Sequence, residues 1–349
     1  MATIRDVAEL AGVSTATVSH VINSTRTVLP ETRETVLAAV AQLNYRPSAI
    51  ARSLSTSITH TVGIVVADIT NPFFAELVRG IETRLAQVDY NLIVCNTDER
   101  PDRESRYLDL LFGRRVDGMI ISCTGENHPI YEAYVRSGIP LVFVDRQPPQ
   151  PYGPMITADN VRAGFAATTH LLDLGHRRVA ILLRHPTLST AAGRLAGFRQ
   201  ALDARQISIP EEFVVVTDSQ VDAAYHRAMQ LLSRPDRPTA VVAANHLMSL
   251  GLLRAIQELG LACPEQLSLV CFDDQPWTTL FNPRLTVVAQ PVQRLCDAAV
   301  DLFLAAVQRR QGETGSLAPS TDRAGDLADV LLETRLIVRD SCGPPPLVA

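Results

Sequence analysis

The chain has 349 residues, of which 46% are hydrophobic and 20% are charged, and its formal net charge at pH 7 is −5. This length exceeds that of one ordinary domain, so we expect two or three globular units with sizeable cores. The negative net charge excludes a protein whose whole surface binds nucleic acid electrostatically, so any contact with DNA has to be local. The sequence contains no lysine, which excludes both a P-loop lysine and a Schiff-base lysine.

The sequence contains no recognisable targeting segment, cysteine pair or catalytic motif. The first ten positions carry charged residues, and no apolar run is long enough to cross a membrane, so we expect a cytoplasmic protein with no membrane partner. The cysteines are widely separated and form no Cys-x-x-Cys pair, which indicates reduced thiols and no metal site. Glycine-rich phosphate loops and the common hydrolase motifs are absent, so we expect neither a cofactor nor an enzyme.

Residues 1–46 predict a small helical domain. Thr3 and Asp6 form a start resembling a capping box for a first helix, which ends at Gly12. Ser14 then caps a second helix, with apolar side chains on one face and small polar side chains on the other.

A third helix is expected over 31–43, with Leu37 among its inward residues. Two helices joined by a tight turn that contains glycine, the second with a polar outer face, are typical of a helix-turn-helix. A generic three-helix bundle is the alternative. Residues 47–60 follow as a hinge, in which 48–54 favour a helix too short to be stable alone. Such a helix can form on binding DNA; a plain interdomain linker is the alternative.

Residues 61–340 alternate between strands and helices. The predicted strands are 62–68, 91–96, 117–123, 140–145, 179–184, 213–217, 239–245 and 267–273, and a strand-like segment covers 331–339. The predicted helices are one that begins near residue 72 and those over 103–115, 160–174, 191–204, 222–233, 246–259 and 291–309. Continuous apolar strands of this kind are typical of parallel sheets with helices on both faces. We predict two doubly wound subdomains, the first from 61–160 with 289–320 and the second from 161–288 with 321–340. Residues 311–329 are rich in Gly, Ser, Pro and Asp and indicate a surface loop.

Polar and aromatic residues cluster where these strands end, which is where open parallel sheets bind ligands. The candidate ligand-binding residues are Asp68, Asn71, Phe73, Phe74, Asp145, Thr190, Arg194, Asn245, His246, Asp273 and Trp277. Asp and Asn at strand ends are also common helix caps, so the cluster rather than any single residue carries the prediction. Carboxylates, an amide and a guanidinium beside aromatic rings suit a neutral polyhydroxylated ligand.

Eight segments carry a resemblance to the LacI/GalR family of bacterial transcription regulators over nearly the whole chain. They are 3–23, 31–36, 43–47, 51–54, 71–74, 115–118, 174–178 and 193–198. The resemblance implies a homodimer, a headpiece that reads the major groove of a pseudo-palindromic operator, a hinge helix in the minor groove, and a core like that of periplasmic sugar-binding proteins. A small effector is then expected to control DNA binding. The C-terminus lacks an apolar heptad, so no tetramerising coiled coil is expected.

The DNA-contacting residues that the resemblance implies are Thr3, Ser14, Thr15, Ala16, Thr17, His20, Asn23, Arg52 and Leu54. Of these, Thr15, Ala16 and His20 are expected at base edges. Ser14, Thr17 and Asn23 are expected at phosphates. Leu54 is expected to wedge into a base step and kink the operator.

The resemblance also bears on the effector. Leu188 stands where a purine-binding arginine is expected, which disfavours a nucleobase and leaves a purine-responsive repressor as the alternative. His246 replaces an aspartate that is usual in the sugar-responsive branch, which leaves room for a sugar acid or sugar phosphate as well as a sugar. Two rivals from other classes are a solute-binding protein and a sugar-acting enzyme with the same core fold.

Overall fold

The computed structural model describes residues 2–23, 26–45, 58–126, 128–313 and 328–346. The chain divides into two compact units, Met1–Thr59 and His60–Ala349. Most of the predicted hinge, including Arg52 and Leu54, and most of the loop at 311–329 lie outside the described residues. In the described part of the chain, no helix is long and apolar enough to cross a membrane.

The first unit contains three helices, α1 (Ile4–Ala11), α2 (Thr15–Asn23) and α3 (Pro30–Gln42). The capping box predicted for α1 is present: the Asp6 carboxylate accepts a hydrogen bond from the Thr3 backbone N–H at 2.8 Å, and the Thr3 hydroxyl accepts one from the Asp6 N–H at 3.4 Å. Gly12 ends α1 in the left-handed conformation, with φ 65°. The Ser14 hydroxyl caps α2 by accepting a hydrogen bond from the Thr17 N–H at 3.1 Å.

A small apolar core joins these helices. Its buried members are Val7, Ala8, Val18, Val21, Val36 and Ala39. The prediction that Leu37 faces inward is wrong, because its side chain is 45% exposed. Successive residues of an α-helix point about 100° apart, and with Val36 and Ala39 inward on α3, Leu37 turns away from the core.

The second unit contains two six-stranded sheets. The strands are β1 (Thr61–Val66), β2 (Asn91–Asn96), β3 (Gly118–Ile121), β4 (Leu141–Val144), β5 (Met155–Ala158), β6 (Val179–Leu183), β7 (Val214–Val216), β8 (Ala240–Ala243), β9 (Ser268–Phe272), β10 (Thr286–Ala289), β11 (Val330–Leu332) and β12 (Arg335–Ile337). The helices are α4 (Pro72–Ala86), α5 (Pro101–Gly113), α6 (His128–Arg136), α7 (Asn160–Asp173), α8 (Ser189–Ala204), α9 (Val221–Leu232), α10 (His246–Glu258) and α11 (Val292–Glu313). Short 3-10 helices cover Glu211–Phe213 and Pro276–Thr279.

The strand order is β11-β5-β4-β3-β1-β2 in the first sheet and β12-β10-β9-β8-β6-β7 in the second. All pairs are parallel except β10 with β12. Apolar clusters lie on both faces of each sheet, so the predicted pair of doubly wound parallel-sheet subdomains is confirmed.

One part of the predicted subdomain division is wrong. Residues 321–340 were expected in the second subdomain, but β11 pairs with β5 of the first sheet and only β12 joins the second. The chain crosses between the subdomains within the two residues that separate these strands. Strands β5 and β10 and helix α6 also lie outside the predicted elements. Each of them is too short to carry a clear periodic pattern.

Helices α7 and α8 touch through their backbones, which explains the glycines of the segment 193–198. A Cβ atom on Gly197 would lie 1.9 Å from the carbonyl oxygen of Val161, and one on Gly193 would lie 2.8 Å from the Cβ atom of Asn160. This close approach positions Arg194, which lies on α8 between the two glycines.

Gly197→Ala is therefore expected to destabilise the protein by about 3 kcal/mol, because a methyl group has to be forced between two backbones. Urea unfolding followed by circular dichroism measures the change. Gly113→Ala is the matched control, because a Cβ atom there meets nothing within 4 Å, and a change of less than about 1 kcal/mol is expected. Equal effects of the two substitutions would contradict the prediction.

Candidate functional site

A cavity lies between the carboxyl ends of the strands of the two sheets. Its lining residues are Asp68, Asn71, Phe73, Phe74, Glu99, Asp145, Arg146, Arg184, Thr190, Arg194, Asn245, Leu247, Asp273 and Gln290. The empty space between them amounts to about 470 Å³, including its opening to solvent. Only about 40 Å³ of this space is open to the centre of a water molecule, so the cleft is narrow in this structure. The structure thus brings together all the predicted effector residues except His246 and Trp277.

Two buried aspartates occupy equivalent positions in the two subdomains. Asp145 follows β4 and Asp273 follows β9, and both adopt a left-handed backbone, with φ 67° and 73°. The N–H of Asp145 donates to the carbonyl of Ile156 at 2.8 Å, and the N–H of Asp273 donates to that of Val288 at 3.0 Å. Aspartate and asparagine tolerate this backbone better than other residues that carry a side chain. The backbone therefore holds one carboxylate on each side of the cavity.

These two carboxylates differ in their partners. The Gln290 side-chain amide donates to Asp273 at 2.6 Å, whereas the Nε atom of Arg146 lies 3.8 Å from Asp145. Burial raises the pKa of Asp145 to about 6, although Arg146 and Arg194 act in the opposite direction. Asp145 is therefore an ionised acceptor at neutral pH whose charge is poorly compensated.

Glu99, which the sequence analysis missed, bridges two arginines. Both terminal nitrogens of Arg146 donate to its carboxylate, at 2.7 and 2.8 Å, and Arg184 donates a further hydrogen bond. Burial raises the pKa of Glu99, but the hydrogen bonds and charges of the two guanidinium groups outweigh that effect and bring the pKa to about 2. Glu99 lies three residues after the end of β2, so its place near the carboxyl end of a strand is the sequence signal that identifies it.

Arg194 is held rigidly at the side of the cavity. Its Nε donates to the side-chain oxygen of Asn160 at 2.8 Å, and one terminal nitrogen donates to the carbonyl of Ala244. The guanidinium carbon also lies 4.2 Å from the centre of the Phe272 ring. Burial lowers the pKa of Arg194, although Asp273 and Asp145 favour its charged form.

Phe73 and Phe74 provide the apolar side of the cavity. Their rings meet edge to face, with centroids 5.1 Å apart. The side-chain oxygen of Asn71 caps α4 by accepting a hydrogen bond from the Phe73 N–H at 3.1 Å. Asn71 thus has both the capping role that the residue type suggests and a place in the lining.

His246 and Trp277 are not among the residues that line this cavity. His246 begins α10 and is buried, and the centroid of its ring lies 5.6 Å from that of Trp277. Burial lowers the pKa of His246, so its ring is neutral at pH 7. Trp277 lines a separate groove with Leu250, Leu253, Arg254, Gln257, Leu280 and Phe281.

Leu188 contributes no polar group to the cavity. It precedes α8 and packs into the apolar cluster on one face of the second sheet. In the described residues, no group of three or more His, Cys, Asp and Glu side chains is placed to hold a metal ion.

The candidate DNA-contacting residues at the start of α2 and along it differ in exposure. Ser14, Thr15, Ala16 and Asn23 are exposed, and Thr17 and His20 are partly exposed, while Val18 and Val21 face the core. Thr3 is exposed at the start of α1, where it forms the capping box. Most of the exposed side chains are small, which allows a helix to approach base edges in the major groove. The roles of the individual residues stay predictions.

Comparison with known proteins identifies both units. Residues 3–48 match the family model described as "Bacterial regulatory proteins, lacI family", and residues 59–322 match "Periplasmic binding proteins and sugar binding domain of LacI family". The HTH-type transcriptional repressor PurR of Photobacterium profundum is 37% identical over 314 residues, which are 90% of this chain and 94% of that protein. The ribose operon repressor of Escherichia coli is 38% identical over 305 residues, which are 87% and 92% of the two chains.

Solved structures agree with these matches. The lac repressor dimer bound to operator and the anti-inducer ONPF superposes with a TM-score of 0.82 at 28% identity, covering 97% of this chain and 98% of that chain. A LacI family regulator from Enterococcus faecium with bound ribose superposes with a TM-score of 0.70 at 30% identity, covering 81% and 99%. The family, the fold class and the DNA-binding function predicted from the sequence are thereby confirmed. The chain belongs to the LacI family of bacterial regulatory proteins.

Proposed function

We propose that the chain is a homodimeric repressor whose affinity for a pseudo-palindromic operator is controlled by a neutral polyhydroxylated effector of the sugar class. The effector binds in the cavity between the two sheets. The chain acts in the cytoplasm, where operator DNA lies, and it regulates without turning over its ligand. The relatives support this proposal, because PurR and the ribose operon repressor are both named as repressors.

The observation that carries the effector class is the pair of buried carboxylates, Asp145 and Asp273, on opposite sides of one cavity. A carboxylate only accepts hydrogen bonds, and sugar hydroxyls can donate to it. Phe73 and Phe74 offer ring faces or edges to the apolar side of a sugar ring.

The arginines of the cavity are already engaged. Arg146 and Arg184 donate to Glu99, and Arg194 donates to Asn160 and Ala244. A sugar acid or phosphate would therefore add negative charge without an uncommitted cation to receive it. The neutral ring of His246, which lies outside the lining, does not supply one either. Leu188 is buried and apolar and stands where a purine-binding arginine is expected, which disfavours a nucleobase.

The cavity also supplies a means of control. Its lining residues come from both sheets, so an effector that contacts both sides favours one relative orientation of the subdomains. A coupling free energy of about 1–3 kcal/mol changes operator affinity about 5–150-fold.

The test is calorimetric titration of the full-length protein with ribose, other neutral pentoses and hexoses, their phosphates, and hypoxanthine. Operator affinity is measured in parallel by fluorescence anisotropy of labelled DNA. A neutral sugar is expected to bind saturably and to shift operator affinity about 5–150-fold. Asp273→Asn should lose this response, while the exposed control Asp218→Asn should keep it. A response to hypoxanthine alone would contradict the proposal and favour the purine-responsive alternative.

We further propose that the groove beside Trp277 is part of the dimer interface. Leu280 is 83% exposed and Phe281 is 38% exposed, which is unusual for neighbouring apolar side chains. They lie together with Leu250, Leu253 and Trp277 along one surface of the second subdomain. Exposed apolar patches of this kind mark protein contacts, and the lac repressor is described as a dimer.

Leu280→Arg is therefore expected to convert the dimer to a monomer, because each copy would bury an unpaired guanidinium group in the interface. Operator affinity should fall roughly 100-fold or more, since each monomer reaches one half-site only. Multi-angle light scattering and fluorescence anisotropy measure the two effects. Leu331→Arg is the control, because Leu331 is 64% exposed on β11 of the other sheet. An unchanged dimer in Leu280→Arg would exclude this surface.

A further inference from the structure

We infer that Glu99 determines the charge specificity of the cleft: it is a carboxylate supplied by the chain itself that fills a two-arginine anion site and thereby excludes anionic effectors. This inference rests on the proposed neutral effector and names the residue that occupies the two guanidinium groups. Neither the strand-end aspartates nor Arg194 performs this role, because none of them contacts both Arg146 and Arg184.

The geometry is that of an anion held by forked donors. Arg146 presents two parallel N–H groups to Glu99, at 2.7 and 2.8 Å, and Arg184 donates to one of the same oxygens. The side chain of Arg146 is only 5% exposed, and those of Glu99 and Arg184 are each 15% exposed. Guanidinium groups in this arrangement bind carboxylate or phosphate oxygens with little selectivity between them.

The site spans the cleft. Glu99 and Arg146 follow strands β2 and β4 of the first sheet, whereas Arg184 follows β6 of the second. All of them line the same cavity as Asp145 and Asp273. An effector that reaches those aspartates therefore lies beside the carboxylate of Glu99 and is repelled by it if it carries negative charge.

Two donors of the site are left over. The Nε atoms of Arg146 and Arg184 are buried and have no hydrogen-bond partner. If Glu99 loses its charge, the two buried guanidinium groups lack a counter-ion and should bind an anion from solution, because buried charges are stable only when they are paired.

Glu99→Gln tests the inference, because glutamine keeps the shape of the side chain, removes its charge and replaces one of its two acceptor oxygens by an NH2 group that cannot accept from an arginine. Inorganic phosphate is the probe, and it replaces chloride at constant ionic strength near neutral pH. Isothermal titration calorimetry gives the affinity, and the melting temperature gives an independent measure of binding to the folded protein. Phosphate affinity is expected to rise at least about tenfold in Glu99→Gln over the wild-type protein, which corresponds to a change of about 1.4 kcal/mol.

Two further variants locate the effect. Glu82→Gln removes an exposed carboxylate on α4 and should leave phosphate affinity at the wild-type value. Adding Arg184→Gln to Glu99→Gln removes one of the two guanidinium groups and should abolish the gain. A gain that persists in the double variant would place the phosphate elsewhere and overturn the inference.

Three other results would overturn the inference. The inference is overturned if the wild-type protein binds phosphate as tightly as Glu99→Gln, or if the folded variant gains nothing. If Glu99→Gln does not fold in chloride, phosphate is expected to restore its folding, and failure to do so overturns the inference too. The proposed function fails separately, through the absence of any response of the wild-type protein to a neutral sugar.

Discussion

Removal of residues 1–56 is expected to abolish specific binding to operator DNA and to leave effector binding unchanged. The chain divides at residue 59 into two units, and the first has its own apolar core. The family model for the regulatory headpiece ends at residue 48, whereas the sugar-binding model begins at residue 59. Because specific sites are bound about 10³-fold or more tightly than other DNA, a loss of at least that size is expected. Fluorescence anisotropy with specific and scrambled operators measures it, and calorimetry measures effector binding.

Two point variants test whether α2 itself contacts the operator, because they leave the first unit in place. Ala16→Asp places a negative charge on the exposed face of α2, where it would meet phosphates or base edges. Ala38→Asp places the same charge on the exposed face of α3. Only the first is expected to weaken operator binding strongly. Equal losses in the two variants, or specific operator binding by residues 57–349, would contradict the assignment of α2.

Asp145→Asn is expected to stabilise the ligand-free protein and to abolish binding of a neutral sugar. Burial raises the pKa of Asp145 from 3.8 to about 6, so the folded protein disfavours the ionised carboxylate. The favourable contribution of the protonated form is complete below about pH 4 and is lost as the pH rises through about 6. The shift of roughly two pKa units corresponds to about 3 kcal/mol at pH 7, which the neutral amide recovers. Asparagine also tolerates the φ of 67° at this position.

The same substitution removes an acceptor that the effector needs. In the wild-type protein, sugar affinity should fall as the pH is lowered through about 6, because protonation turns the carboxylate of Asp145 into a poorer acceptor. Urea unfolding between about pH 4 and pH 7.5 gives the free energy of unfolding, and the advantage of Asp145→Asn should vanish at the acid end.

Asp89→Asn is the matched control for this prediction. Asp89 also has a left-handed backbone, with φ 61°, but its side chain is exposed, so its substitution relieves no buried charge and is not expected to stabilise the protein. Destabilisation of the ligand-free protein by Asp145→Asn at neutral pH would show that the attraction of Arg146 and Arg194 for this carboxylate exceeds the cost of burying it.

The amino-acid sequence determined by itself those features that depend on neighbouring residues. The capping box of Thr3 and Asp6, the left-handed Gly12 and the cap at Ser14 follow from the hydrogen bonds that nearby backbone groups require. Continuous apolar strands imply burial on both faces, so the doubly wound sheets followed as well. Most of the cavity lining was also predictable, because the carboxyl ends of parallel strands converge on one edge.

Only the tertiary structure decided features that depend on a distant partner. The sequence does not show that β11 and β12, two residues apart, join different sheets, because their pairing depends on β5 and β10. Nor does it show that Trp277 lines a surface groove rather than the cavity. The role of Glu99 arises because Arg146 and Arg184 reach it from two sheets. A polar residue at a strand end is a local signal, but the charge that it meets depends on which chain segments fold against it.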